Sequence, residues 1–373
     1  MQLRLSDEQK MIGGAASGFL ERACPTSTIV ELDASETGFD AALWRRACEL
    51  GWTAMGVPPD AGGLGGIVDL CLVTEACGRV ALTSPLACTV AGGALPLALG
   101  GSAEQRARWL ERLLSGAAIA TIALLDSGSA SEWSPVRLRG VRDGADWTLS
   151  GTKLLVPWAA VADVLVLSAD LQDRGPSFVL VEPTAAGVTV IPHQVLGGDR
   201  RARVELADVT VAESDVLRAP EGFATLQRRC LDVLTVLDVA LAVGLCETAL
   251  GMSVQYAGER RQFGRPIGAF QAVSYRCVDM KLAIDACRLL CHKAAWHLEV
   301  GRPADLHVGA AKAYANEMVD VVTHNAQQVH GAIGFSTEYD LHLFTRRARA
   351  FASNLGTSAS SLERVAVGLG LDD

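Results

Sequence analysis

A run of twelve residues from Arg260 to Gln271 carries the clearest chemical signal in the chain, with the sequence Arg-Arg-Gln-Phe-Gly-Arg-Pro-Ile-Gly-Ala-Phe-Gln. Gly264, Pro266 and Gly268 interrupt a helical pattern, because proline lacks a donor N–H and glycine relaxes the backbone. Three arginines flank this break, with aromatic and amide side chains beside them. Arginines bind phosphate through charge and forked hydrogen bonds, and an aromatic face can receive a flat ring. The run predicts two helices hinged around a cationic turn with these binding properties.

The arginines alone would be explained better as the solvated end of a basic helix. The whole run, however, resembles the R-x-Q-F-G-x-x-I-x-x-F-Q signature of the acyl-CoA dehydrogenase family. In that family the C-terminal domain reaches across a subunit interface and binds the FAD of its neighbour. The resemblance therefore implies FAD as cofactor, and it assigns FAD contacts to Arg260, Gln262, Phe263 and Gln271.

Two further segments resemble FAD-binding motifs of the same family. Residues 328–335 resemble Q-x-x-G-G-x-G-F, with Ala332 in place of one glycine, and Gly356-Thr357 resembles the end of Y-E-G-T. A glutamine and a few glycines alone are more typical of a helix end than of a cofactor site. Together with the cationic turn, they favour additional FAD contacts at Gln328, Gly331 and Thr357.

The reaction of this family requires a carboxylate base, because an α-proton leaves the acyl thioester as the β-hydride passes to flavin N5. Most members place a Glu directly before Gly-Thr, and a minority place it on the helix before R-x-Q-F-G. These positions align with Leu355 and Leu234, and leucine cannot accept a proton. Asp238, one turn beyond Leu234 on the same helix face, is the best candidate for a displaced base. We favour a structural ion pair for Asp238, and His330 and Glu338 are weaker candidates.

The contacts to the flavin ring also depart from the family pattern. Active members carry T-E-P and aromatic-I-T-N segments whose hydroxyls bond the ring, and the corresponding residues are Leu125-Asp126-Ser127 and Leu155-Val156-Pro157-Trp158. Pro157 has neither a hydroxyl nor an N–H, so the usual support of flavin N5 is absent or replaced. We interpret Trp158 as a core residue. The loop Asp199-Arg200-Arg201 is either a polar site element or a solvated turn.

One acidic residue is assigned to the substrate by the resemblance. Asp232 aligns with a family Asp that contacts the adenosine side of CoA. The arginine that normally follows that residue is replaced by Thr235. Asp232 is therefore a predicted substrate contact in an altered setting.

The elements that position these residues fall into three predicted domains. Residues 1–117 have the periodicity of helices, residues 118–217 have short strand-like runs, and residues 218–373 return to helices. The predicted strands are Ile119–Leu125, Trp147–Val156, Val164–Ser168, Ser177–Val181, Val188–Ile191 and Val204–Leu206. This order predicts an α+β fold. The resemblance implies the acyl-CoA dehydrogenase fold, with an N-terminal helical domain, a middle β-barrel-like domain and a C-terminal four-helix bundle.

Composition favours a large cytoplasmic enzyme. Half of the 373 residues are apolar and the net charge is −9, which gives no affinity for nucleic acid or acidic membranes. Ser6 is predicted to cap the first helix, so we expect no signal peptide. The apolar stretch 231–250 contains three acidic residues, and we expect no membrane span.

The ten cysteines are predicted to be structural. The sequence contains no C-x-x-C pair, and the chain lacks the character of a small secreted protein, so we predict neither disulfides nor a metal site. Cys277, Cys287 and Cys291 share one helical stripe with apolar residues. This spacing is typical of a helix-bundle core.

Several functions remain open. The chain could be a self-sufficient acyl-CoA dehydrogenase that uses Asp238, or a flavin monooxygenase on the same fold. We favour a third hypothesis, the subunit that lacks the catalytic Glu in a heteromeric acyl-CoA dehydrogenase, as occurs in bacterial degradation of sterol side chains and other bulky acyl-CoAs. The segments that act on a neighbour's cofactor are kept, whereas the base and the ring contacts are lost. Implied partners are an acyl-CoA, a second subunit or another copy in a dimer or tetramer, and an electron-transfer flavoprotein or other acceptor.

Overall fold

The computed structural model describes residues 4–371, with helices in the first and last parts of the chain and a sheet between them. The first helices are α1 (Asp7–Ala23), α2 (Thr26–Ala34), α3 (Ala41–Glu49), α4 (Ile67–Arg79), α5 (Leu86–Thr89), α6 (Leu95–Gly100), α7 (Ala103–Gln105) and α8 (Glu111–Leu114). Single π-helical turns connect α5 to α6 and α7 to α8. Ser6 caps α1 as predicted, since its hydroxyl accepts the Gln9 N–H and the Gln9 side chain accepts the Ser6 N–H.

A seven-stranded sheet occupies the middle of the chain. Its strands are β1 (Ala120–Ala123), β2 (Arg139–Asp143), β3 (Asp146–Pro157), β4 (Val164–Leu171), β5 (Gly175–Val181), β6 (Val188–His193) and β7 (Arg201–Val211). The order is β1-β4-β2-β3-β7-β6, with β5 paired to β4. β4 lies parallel to β1 and β2, and the other pairs are antiparallel.

Six of these strands overlap the predicted ones, and β2 was not predicted. Its sequence, Arg-Gly-Val-Arg-Asp, has only Gly140 buried, so it lacks the apolar alternation that marks a half-buried strand. The sheet core lies instead on β3, β4 and β7, where Trp147, Leu149, Leu165 and Val204 are each at most 1% exposed.

Long helices form the last part of the chain. They are α9 (Phe223–Glu259), α10 (Gln271–Glu299), α11 (Asp305–His330), α12 (Leu341–Phe351) and α13 (Ser358–Leu369). The helix–sheet–helix order confirms the α+β class. α9 is long and apolar enough to cross a membrane, yet 78% of its most apolar window is buried, as in the core helix of a folded protein.

The chain divides into two compact units by its contacts. The first unit comprises Met1–Glu31, Val68–Thr83 and Thr235–Asp373, and the second comprises Leu32–Ile67 and Ser84–Leu234. Most of α4 thus belongs to the same unit as the C-terminal helices. The division into three domains at residues 117 and 217 stays a prediction.

Within the first unit, α4 and α9 cross at van der Waals contact of their backbones. A Cβ atom on Gly244 would lie 2.0 Å from the carbonyl oxygen of Glu75, and one on Gly78 would lie 2.2 Å from that of Leu241. The buried Glu75 carboxylate binds Arg288 beside this crossing, at 3.1 Å. Glycine is required at both positions because any side chain would separate the helices.

The structural interpretation is confirmed for nine of the ten cysteines, whereas the predicted burial of Cys277 in the helix-bundle core is wrong. All ten lie within the described residues, all are free thiols, and nine are buried; Cys277 is partly exposed. Burial raises the pKa of Cys77 and of Cys230 to about 12. The buried thiols therefore stay protonated and serve as small apolar side chains.

Candidate functional site

The cationic turn lies where the sequence predicts it. α9 ends at Glu259 and α10 begins at Gln271. Between them, the two-residue strands β8 (Arg261–Gln262) and β9 (Arg265–Pro266) pair as a hairpin. Phe263 and Gly264 form its turn with φ of 49° and 79°, as in a turn that needs positive φ at both central residues. The break between the helices is thus a defined hairpin.

The hairpin presents cations and rings to solvent within the first unit. Phe263 is 92% exposed, and its ring meets the edge of Phe270 at 6.1 Å between centroids. The guanidinium of Arg265 lies 4.1 Å from the Phe270 centroid. Arg260 and Gln271 are also exposed. This surface offers N–H donors, positive charge and an aromatic face, which suit a phosphate linked to a flat ring.

The second predicted FAD segment forms the end of α11. Gln328 is exposed in the last turn of the helix. Gly331 follows with φ of 65°, and a 3₁₀ turn then runs over Gly331–Phe335. Phe335 is 64% exposed. The segment presents an amide and an apolar side chain to solvent, and its cofactor role stays a prediction.

His330 is a buried structural residue. Nδ1 donates to the carbonyl of Ala326 at 2.8 Å, which leaves Nε2 to accept from the hydroxyl of Tyr339 at 3.3 Å. The ring also stacks on Tyr256 at 4.7 Å. Burial lowers the pKa of His330 and favours this neutral tautomer. Because Nε2 already has a donor, this geometry favours packing over proton abstraction, and Glu338 is exposed on the following loop.

The third predicted FAD segment is the turn between α12 and α13. Leu355 has φ of 54° and Gly356 has φ of 125°. Thr357 then caps α13: its Oγ1 accepts the N–H of Ser360 at 3.2 Å. A capping hydroxyl that accepts through oxygen can still donate its hydrogen, here to Ser360 Oγ at 3.3 Å or to a bound ligand. The turn therefore places leucine at one base position and a hydroxyl donor two residues later.

The other base position lies on α9. Leu234 is 9% exposed, and Asp238, one turn further, is half-buried. Asp232 is 4% exposed and lies close enough to Arg229 to raise the pKa of that guanidinium, although burial lowers it by more. This electrostatic interaction favours a structural role for Asp232, and its contact with CoA stays a prediction.

In the second unit, the segment aligned with T-E-P contains a buried ion pair. Lys153 Nζ lies 2.6 Å from Asp126 Oδ1, with the two side chains 0% and 4% exposed. Nζ also donates to Ser168 Oγ at 2.8 Å. Asp126 Oδ2 accepts the N–H of Arg137 at 2.8 Å. Lys153 thus joins β3 and β4 to the residues that follow β1.

The segment aligned with aromatic-I-T-N has a strained backbone. Leu155 and Trp158 have φ of 50° and 55°, a conformation that is rare for bulky side chains. Trp158 is 3% exposed, as the core interpretation requires. The carbonyl of Pro157 accepts from Thr121 Oγ1 at 2.5 Å. Pro157 has neither an N–H nor a polar side-chain atom, so this position offers no hydrogen-bond donor to flavin N5.

The loop Asp199-Arg200-Arg201 anchors this strained segment, so it is neither a free polar site nor a solvated turn. The Arg200 carbonyl accepts the N–H of Trp158 at 2.6 Å, and Arg201 Nη1 donates to the Leu155 carbonyl at 3.2 Å. Arg200 Nη2 in turn donates to three carbonyl oxygens at the C-terminus of α2, at 2.8–3.0 Å: those of Leu32, Asp33 and Ser35. The loop links this helix end to the strained segment.

Replacing Arg200 with Met should lower the free energy of unfolding by about 2–3 kcal/mol, because three carbonyls lose a charged donor. Urea unfolding would measure this loss. Arg203→Met is the matched control: Arg203 forms an exposed ion pair with Glu205, so its loss should cost less than about 1 kcal/mol. Equal losses in the two variants would contradict the anchoring role.

Backbone strain is the site feature that the sequence did not reveal. Eight non-glycine residues in the described part of the chain have positive φ, and four of them lie in segments aligned with family motifs: Leu155, Trp158, Phe263 and Leu355. Residues in sparsely populated conformations cluster at functional sites. Asn, Asp or Gly would have signalled such a conformation, but Leu, Trp and Phe do not.

Known proteins are similar to this chain in sequence and in fold. The chain matches the models of the acyl-CoA dehydrogenase N-terminal domain at residues 6–117 and C-terminal domain at residues 221–370. It is 30% identical to the probable acyl-CoA dehydrogenase YngJ of Bacillus subtilis, with 98% of each protein covered.

Two solved structures extend this similarity to the whole fold. The ChsE4–ChsE5 complex from Mycobacterium tuberculosis gives a TM-score of 0.91 at 28% identity, and the FAD complex of PigA gives 0.89 at 26%, with full coverage in both cases. These similarities confirm the predicted acyl-CoA dehydrogenase fold. The chain therefore belongs to the acyl-CoA dehydrogenase family, flavoprotein oxidoreductases that act on CH–CH bonds.

Proposed function

We propose that this chain takes part in FAD-dependent α,β-dehydrogenation of an acyl-CoA thioester as the subunit that lacks the catalytic Glu of a heteromeric enzyme. One observation carries the proposal. Both positions at which the family places its base hold leucine, at Leu234 and Leu355, whereas the cationic hairpin Arg261–Pro266 is complete and exposed. A leucine cannot remove an α-proton, but the hairpin can still bind a flavin nucleotide.

The C-terminal segments fit FAD, the family's cofactor, which would accept the substrate hydride. Arg260, Gln262, Phe263 and Gln271 would supply charge, amide donors and a ring, and Thr357 would supply a hydroxyl donor. Gln328 and Gly331 would add contacts from the end of α11.

The middle sheet fits the flavin ring less well. Pro157 has no N–H, and its carbonyl is already bonded to Thr121. This difference supports a role of the hairpin on the flavin of another subunit.

An apolar stripe on α10 supports assembly. Tyr275, Val278, Leu282 and Leu289 are 59%, 52%, 63% and 50% exposed, at helical spacings of three, four and seven. Such a stripe is typical of a helix that packs on another chain. The similar chain from Mycobacterium tuberculosis was solved as a complex of two differently named proteins, ChsE4 and ChsE5, which favours a different subunit over a second copy. Reoxidation by an electron-transfer flavoprotein or another acceptor is part of the same proposal.

Visible spectroscopy tests the proposal. The chain purified alone should contain little flavin, and it should gain flavin absorbance when it is co-expressed with an acyl-CoA dehydrogenase chain that carries the catalytic Glu. Yellow protein from the chain alone that bleaches with an acyl-CoA would overturn the proposal and favour a self-sufficient enzyme.

A substitution at Asp238 discriminates between a subunit without a catalytic base and a self-sufficient enzyme. Its half-burial one turn from Leu234 is the observation that favours a displaced base. We expect Asp238→Asn to leave acyl-CoA-dependent flavin bleaching of the assembled enzyme within about twofold of wild type, whereas loss of a true base would cost about 10²–10⁴-fold. Glu317→Gln, which removes an exposed carboxylate on α11, is the matched control.

A further inference from the structure

Lys312 lies in the middle of α11 and is 1% exposed. Its buried ammonium group reaches the C-terminal end of α12. Nζ donates to the carbonyl of Phe351 at 3.1 Å and lies 3.8 Å from the centroid of the Phe351 ring. An ammonium group is costly to bury, so the position must compensate for lost hydration. A helix C-terminus and an aromatic face both supply partial negative charge.

The carbonyl that Lys312 binds belongs to Phe351, the residue directly before the turn 352–357. Phe351 is the last residue of α12, and its carbonyl also accepts the N–H of Asn354 at 2.9 Å. The left-handed Leu355 follows, and Thr357 then caps α13. Both hydrogen bonds at the Phe351 carbonyl therefore fix the direction in which the chain leaves α12.

We propose that Lys312 is a positioning residue that holds the turn 352–357 in the conformation that presents Thr357 to the flavin. This inference rests on the proposed function, in which Thr357 contacts FAD. Lys312 acts on this turn through the Phe351 carbonyl and ring. Because Lys312 is on α11 and binds the last carbonyl of α12, it holds the end of α12 in place and thereby fixes the geometry of the turn that follows.

Hydrogen exchange of Lys312→Met tests the effect on the turn, since methionine keeps the length and burial of the side chain but removes the charge. We expect amide exchange at residues 352–357 to accelerate about tenfold or more. Val322→Ala is the matched control: Val322 is 0% exposed on the same helix, about 15 Å along it from Lys312, and its truncation should destabilise the unit as a whole. Equal acceleration of the turn in both variants would overturn the proposal.

FAD titration of the assembled protein, followed by flavin fluorescence, tests the connection to the cofactor. Lys312→Met and Thr357→Val should each weaken FAD binding about tenfold, and the double variant should be little weaker than either, because both remove the same contact. Additive losses would overturn the proposed route through Thr357. Absence of FAD binding in the wild-type assembly would instead overturn the proposed function, and the exchange data would still decide whether Lys312 fixes the turn.

Phe351→Leu gives a second route if Lys312→Met does not fold. It removes the ring but keeps the carbonyl, so we expect a smaller acceleration of exchange that is still confined to residues 352–357. A turn unchanged by loss of the ring, with exchange accelerated elsewhere on α12, would contradict the proposal.

Discussion

Asp126→Asn should destabilise the folded protein by about 3–5 kcal/mol, because it leaves the ammonium of Lys153 buried without its carboxylate. Lys153 is 0% exposed and lies 2.6 Å from Asp126 Oδ1. Asparagine has nearly the same shape, so the loss comes from charge and not from packing. Urea unfolding, followed by circular dichroism, would measure the difference from wild type.

The double variant Asp126→Asn with Lys153→Met is the control for this effect. It removes both charges, so much of the stability lost in the single variant should return. A double variant as unstable as Asp126→Asn would contradict charge burial as the cause, since neither charge remains in it. Asparagine also keeps an oxygen that can accept the Arg137 N–H, which donates to Asp126 at 2.8 Å.

The ion pair between Asp126 and Lys153 also predicts how the stability of the folded protein changes with pH. Burial lowers the pKa of Lys153 from 10.5 to about 8, with Asp126 opposing this shift. The unfolded chain therefore binds the proton more tightly, and stability rises with pH between these two values. Asp126→Asn should lower the folded pKa further and extend this window downward. The deficit of the variant should shrink from about pH 7 to about pH 9.

Gly244→Ala should destabilise the first unit by about 3 kcal/mol or more, since the new methyl group would lie 2.0 Å from the Glu75 carbonyl oxygen. That oxygen belongs to the backbone of α4 and cannot rotate away. Separation of the helices would also stretch the ion pair between Glu75 and Arg288. Thermal unfolding would measure the loss.

Gly251→Ala on the same helix is the matched control. Apart from its chain neighbours and the adjacent backbone of α9, no atom lies within 4 Å of its added Cβ, so alanine should stabilise α9 by about 0.5–1 kcal/mol through helix propensity. Opposite signs at Gly244 and Gly251 are the expected result. A mild effect at both would contradict the close crossing of α4 and α9.

The sequence predicts the fold well where hydrophobic periodicity is strong. The boundary between α10 and α11 follows from Gly301 and Pro303, and six strands follow from apolar runs. β2 was missed because its charged residues carry no such pattern. The sequence also does not predict the close crossing of α4 and α9 at Gly78 and Gly244, since a glycine within a helix does not indicate which helix packs against it.

The candidate site is only partly predictable for a related reason. Motif matches locate the hairpin, the end of α11 and the turn at Thr357, because those segments keep characteristic side chains. They do not show that Arg200 caps α2, or that Lys312 supports the turn from another helix. Such roles depend on contacts between residues far apart in the chain. Leu155 and Trp158 also have positive φ without the small or polar side chains that would reveal it.

The uneven exposure of the thiols makes the protein suitable for site-specific labelling. Nine of the ten cysteines are buried, and Cys277 alone is partly exposed. It lies on α10 one residue before Val278, on the helix face of Cys287 and Cys291 and not in the exposed apolar stripe. A maleimide dye should therefore react with the native chain at this position without prior removal of other cysteines, more slowly than with a fully exposed thiol because burial raises the pKa of Cys277. Its emission would report directly whether another chain covers this face of α10.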